Sequence, residues 1–177
     1  MVLSLSRSVR ALWIEMCNGG RMGIGYIDSV IVYNRYVRKT DEAEQYFGTR
    51  FDKVRVELTE GANIAKSGLE NANTCTIKVN TASIKKSGKT YKAPKVWEKL
   101  TTEEMVENFT LNKGKDFFVI VHKADLEIDV DLPEGMIDSD TYSGGFFEYV
   151  KNKYGYAYSV DTVDVYTLIP RFEIGGR

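Results

Sequence analysis

From residue 22 onward the chain is a succession of short segments rich in β-branched and aromatic residues. They are Tyr26–Val37, Lys53–Leu58, Asn73–Val79, Asp116–Val121, Ala124–Leu132 and Val160–Leu168. Most alternate apolar with polar residues, as a strand with one buried face must. Val54, Val56 and Leu58 fall on one side of their strand, opposite Lys53, Arg55 and Glu57. Phe117 to Val121 are apolar at every position, which predicts a strand covered on both faces. Such a pattern confines the chain to a sheet-built core.

With 177 residues, 43% of them apolar, the chain can bury one core, so a single domain is expected over residues 22–177. The 24 basic and 25 acidic residues nearly cancel, so no long-range field draws the protein to nucleic acid or to an anionic membrane. No stretch approaches the ~20 apolar residues that span a bilayer. Cys75 falls on the apolar side of its strand with Ile77 and Val79, which predicts a buried free thiol and not a disulfide with the distant Cys17. That suits a reducing cytoplasm.

Residues 1–21 differ in character from the rest. Asn18-Gly19-Gly20-Arg21 precedes Met22, and the two glycine codons can spell most of a bacterial ribosome-binding sequence. Residues 1–21 are therefore read as a non-native leader ahead of a start at Met22, or as an N-terminal helix over Val9–Cys17.

Between the strands, Arg38–Glu44 reads as a hairpin loop and Asn80–Lys92 as a long basic loop carrying Lys85, Lys86, Lys89 and Lys92. Pro94 opens a short helical turn that carries Trp97 onto the sheet, and Thr101-x-x-Glu104 is a capping box. Phe109–Leu111 and Asp116–Val121 read as a hairpin around Gly114. Phe146, Phe147, Val150 and Tyr154 recur at helical spacing, predicting a helix over Ser143–Lys153, capped by Ser143, ended by Gly155 and buried through its aromatic face. The expected fold is mainly β (α+β): a partly open β-barrel or sandwich with one covering helix near residues 143–153.

Chemistry is hard to assemble from these residues. Asp125, Glu127, Asp129 and Asp131 recur at every second position. On a strand they would share one face at about 7 Å intervals, too far apart to hold one Ca²⁺ or Mg²⁺ without a second segment. A solvated acidic face, or one that meets a basic partner, is the expectation. His122 is the sole histidine and has no Ser or Cys signature beside it, so neither a catalytic triad nor a histidine metal site can be built. Gly144-Gly145 reads as a tight turn into the helix and not as an anion cradle. No cofactor, metal or enzymatic activity is expected.

Five stretches resemble an uncharacterised family of small prophage proteins from phages of Gram-positive bacteria, encoded among head and tail structural genes and often labelled minor capsid proteins. They are YIDSVIVYNRYV, VRVELTEGANIAKSGLENANTCTIKV, GKTYKAPKVWEKL, FTLNKGKDFFVIV and DTVDVYTLIPRFEIGG. The ending, from the last strand through Arg171-Phe172-Glu173-Ile174-Gly175-Gly176, is similar to that of small β-barrel head-closure proteins that form rings below the portal. The resemblance implies a virion structural protein, a minor capsid or head–tail connector component. It would be made in the host cytoplasm and incorporated in the particle, with partners in its own copies and in neighbouring head or tail proteins. Ring formation needs two unlike patches per subunit. The acidic Asp125, Glu127, Asp129, Asp131 set and the basic Lys85, Lys86, Lys89, Lys92 set are the charge-matched nominees. An alternative is a phage-encoded inhibitor whose acidic face occupies a host defence enzyme. A third is a nuclease or hydrolase working through the Asp125–Asp131 carboxylates.

Overall fold

The computed structural model describes residues 25–59, 74–177 and the backbone of 62–65 and 68–71. The leader or Val9–Cys17 helix expected within residues 1–21 lies outside the described residues, as does Cys17.

Strand β1 (Asp28–Val37) turns through residues 38–43 into the long β2 (Glu44–Thr59). Arg38 N–H donates to the Ala43 carbonyl at 2.9 Å, closing the predicted hairpin loop. A short arm, β3 (Ala62–Ala65) with β4 (Gly68–Asn71), leads to β5 (Thr74–Asn80). Next come α1 (Thr81–Ser87), β6 (Thr90–Tyr91), α2 (Pro94–Trp97), α3 (Thr102–Glu107), β7 (Asn108–Phe109) and β8 (Phe117–Lys123). The chain then forms β9 (Ile128–Asp129), β10 (Gly135–Asp138) and α4 (Phe146–Tyr154), and ends in β11 (Ala157–Tyr166) and β12 (Arg171–Gly176).

The main sheet is antiparallel, with neighbours in the order β1, β2, β5, β12, β11, β8, β9. Because β8 also pairs with β1, the path closes on itself. It is not a regular barrel: β2 pairs with β1 and β10 along its first part and with β5 along its last. The protein is thus a mainly β single domain with a few helices, as the strand pattern predicts.

Two apolar clusters lie on opposite faces of β1 and β8. Val30, Val32, Phe118 and Ile120 point inward, onto Phe51, Val54, Ile77 and Ile174. Ile31, Tyr33, Phe117, Val119 and Val121 point outward, beneath Phe146 and Val150 of α4. This is why Phe117–Val121 carries no polar residue: neither face meets water. Phe146 packs edge-on to Tyr33, with ring centres 4.9 Å apart. Phe146 and Val150 are buried as expected, but Phe147, also expected to be largely buried, is only half-buried, because it lies at the helix margin under Lys151.

Helix α4 starts at Gly145, not at Ser143, which is exposed. Its cap comes from Ser139: the Phe146 N–H donates to Ser139 Oγ at 3.0 Å, and that hydroxyl donates to Glu44 Oε2 at 3.0 Å, tying the helix start to β2. The C-terminus is as predicted, with Gly155 at φ 78° donating to the Lys151 carbonyl. The capping box of α3 is also present, and Trp97 of α2 packs on Phe47 and Met105.

Three local readings are corrected. Asn80–Lys92 is not a loop: Asn80 caps α1 by accepting from Ser83 N–H, and Gly88 ends it. Phe109–Leu111 does not pair with β8; Phe109 belongs to β7, parallel to β6. Ala124–Leu132 is not a strand but a single 3₁₀ turn, Ala124–Leu126, closed by Glu127 at φ 54° before the two residues of β9.

Candidate interaction surfaces

The turn disperses the four acidic residues. Asp125, Glu127, Asp129 and Asp131 are all exposed, as expected of a solvated acidic patch, but they do not line one strand face. Asp125 Oδ1 lies 3.0 Å from Lys123 Nζ, and Asp129 Oδ1 lies 3.6 Å from His122 Nδ1. Among the described residues no three His, Cys, Asp or Glu side chains come together as a metal site.

The basic set is partly spent inside the chain. Lys86 Nζ donates to Asp52 Oδ2 at 2.7 Å, and Lys89 Nζ to the Gly48 carbonyl at 2.8 Å. Burial would raise the Asp52 carboxyl, but donors from Lys86, Arg50 and Ser29 outweigh it and hold the group well below the usual range. Burial lowers Lys89, against the pull of Glu134. Lys85 is exposed and Lys92 half-buried.

Beside the ends of β2, β5 and β8 there is a cleft of about 690 Å³, walled by Leu58, Lys123, Asp125, Tyr156 and Tyr158. Lys123 is buried next to Asp28, with Nζ 3.7 Å from Oδ2. Burial raises the Asp28 carboxyl, opposed by the Val56 N–H and by Lys123. The lysine is committed to two carboxylates, which makes it a structural pair. Cys75 is buried and unbridged, as predicted, and burial pushes its thiol up to about 12, so it is not a nucleophile at neutral pH.

Asp116 is the most enclosed carboxylate among the described residues. Its Oδ1 accepts from Arg35 N–H at 2.9 Å, and its Oδ2 from Asn34 Nδ2 at 2.8 Å and Asn112 N–H at 2.7 Å. Asn34 also bridges to both the N–H and the carbonyl of Thr110. Burial raises Asp116 to about 6 against those three donors. The network pins the 110–116 segment across β1.

The most unusual surface is the tip of the β11–β12 hairpin, read from sequence only as a strand followed by a break. Val165 is 59% exposed, Leu168 96% and Ile169 67%, with Tyr166 beside them. Arg171 lies over the Tyr166 ring at 4.2 Å, and Thr81 Oγ1 donates to the Pro170 carbonyl at 2.9 Å. Apolar side chains that project together into water mark a contact surface. A second cleft, of about 680 Å³, opens where the end of β1 meets α2. Tyr36 and Val37 supply its apolar part, and Lys39, Lys95 and Lys99 its charge.

Residues 26–177 match the Family of unknown function (DUF6751). The chain belongs to that family. No curated protein and no solved structure matches it. The DUF6751 span holds the whole sheet, the hairpin tip and both clefts, so the surfaces described here belong to the family region.

Proposed function

We propose that this chain is a structural protein of a phage particle, a minor capsid or head–tail connection component that works by contacts with its own copies and with neighbouring head or tail proteins. The observation that carries the contact mode is the uncovered apolar tip, with Leu168 96% exposed at its end. A chain that stabilised only itself would gain nothing from holding four large apolar side chains in water. The place in a virion rests on the five stretches that resemble prophage head and tail proteins. No helix among the described residues is long and apolar enough to cross a membrane.

Three observations test the reading. The genes flanking this one should encode portal, capsid or tail proteins; regulatory genes in their place would remove the virion assignment and favour the host-enzyme inhibitor. Light scattering and negative-stain microscopy of the purified chain should show assemblies larger than a monomer. Mg²⁺-dependent cleavage of DNA by the pure protein would replace the contact reading with a catalytic one.

A further inference from the structure

We infer that the β11–β12 tip of one copy docks into the Tyr36–Lys99 cleft of the next, joining copies head to tail. The inference rests on the self-assembly reading above and names its two surfaces. The tip is held outward. Strand β12 is paired to β5 as far as Arg171 opposite Asn80 and to β11 as far as Arg171 opposite Tyr166. The Thr81–Pro170 hydrogen bond and the Arg171–Tyr166 stack fix the turn itself. A tip so fixed stays off its own core, so its apolar end is available to another molecule.

The cleft matches it in size and in charge. A space of about 680 Å³ falls in the range of clefts that enclose a ligand of several side chains' bulk. Val37, 43% exposed, and Tyr36, backed by Trp97 and Phe47, offer apolar contact. At its rim Arg35 is already paired with Glu44, and Lys115 with Glu98 at 3.0 Å. Lys39, Lys95 and Lys99 make no ion pair among the described residues. The stem of the tip carries Asp164, exposed and likewise without an ion pair among the described residues. With Arg171 already paired to Glu173, Asp164 is the unpaired charge of this apolar-ended projection, and it complements a lysine-rimmed, apolar-floored cleft, which favours a second copy of this chain as occupant. Because the patches are unlike, the contact is heterologous and propagates into a ring or a filament.

The test uses two variants of the full chain. Leu168→Asp disables the tip, and Lys95→Glu with Lys99→Glu disables the cleft; all three side chains are exposed, so thermal melting should stay at the wild-type value. Each variant alone should lose assembly by about tenfold or more in concentration, as removal of a central contact does. Mixed one to one, they should form dimers and nothing larger, since one intact tip meets one intact cleft. Variants that assemble like the wild type would overturn this docking while leaving ring assembly standing. A mixture that stays monomeric, with both variants folded, would also overturn it. A wild-type chain that stays monomeric at its highest soluble concentration would overturn the self-assembly reading and the docking with it.

Discussion

Strand β8 and the outer half of β11 are made of similar residues, yet they meet opposite surroundings. Phe118, Val119 and Val121 have no exposure, whereas Val165 is 59% exposed and its neighbour Tyr166 is 41% exposed. The difference lies in what flanks each strand. Outside β8 lies α4, inside it the ring core; the end of β11 has only β12 beside it. Apolar content therefore speaks for stability in one strand and for association in the other, and substitutions should separate the two.

The largest effect is expected beneath α4. Phe146→Ala should cost about 3–5 kcal/mol, since a fully buried ring touching Tyr33, Tyr46 and Phe117 leaves a cavity behind. Urea unfolding reads it directly; a loss under about 1 kcal/mol would mean that α4 is not part of the core. Asp116 comes next. Its folded value of about 6 lies above the ordinary 3.8, so the fold favours the protonated acid. That contribution is whole below pH 3.8 and is lost as pH rises through about 6, a change of roughly 3 kcal/mol. Asp116→Asn, which carries no charge at any of these pH values, should show a flatter stability profile between them. A wild-type slope retained in the variant would assign the pH dependence to another group.

Smaller still is the helix start. Ser139→Ala removes the acceptor for the Phe146 N–H and should cost about 1 kcal/mol, whereas Ser143→Ala should be silent. The smallest effect belongs to the tip. Leu168→Ser should leave stability within about 0.5 kcal/mol of wild type, because the side chain buries almost nothing within the chain. A destabilised Leu168→Ser protein would erase the distinction between the two strands.

Much of the core is legible in the sequence because its signals are local. The alternation in Val54–Leu58 and Thr74–Val79, the unbroken run Phe117–Val121, the Thr101–Glu104 box and the terminal Gly155 each state a face or a boundary. Asn80 as N-cap and Gly88 after Lys85-Lys86 were equally local signals for α1, but they were hidden by a polar, lysine-rich composition. Ala124–Leu132 misleads for a different reason. Ile128 does turn inward to one cluster and Leu132 to the other, but Leu126 is exposed, and the pairing of His122 with Asp129 forces a turn within the segment. Period two records which side chains are buried, not whether a ladder exists. The Ser139 cap, seven residues before its helix partner, and the exposed tip depend on tertiary placement, which no local pattern encodes.

Strand β12 lies between β5 and β11, and its last residues are packed too closely for any larger side chain: a Cβ on Gly176 would come within 2.7 Å of the Phe118 ring and of the Ser159 carbonyl. During synthesis β5 leaves the ribosome long before its partner does. Until Arg171–Gly176 emerges, one edge of β5 has no strand to pair with, and the inner cluster lacks Phe172 and Ile174. Between the emergence of β5 and that of β12 the nascent chain carries an open sheet edge, the arrangement most exposed to mispairing with other chains and to chaperone capture. Closure of that edge waits for β12, and with so many contacts between distant residues it is expected to be slow.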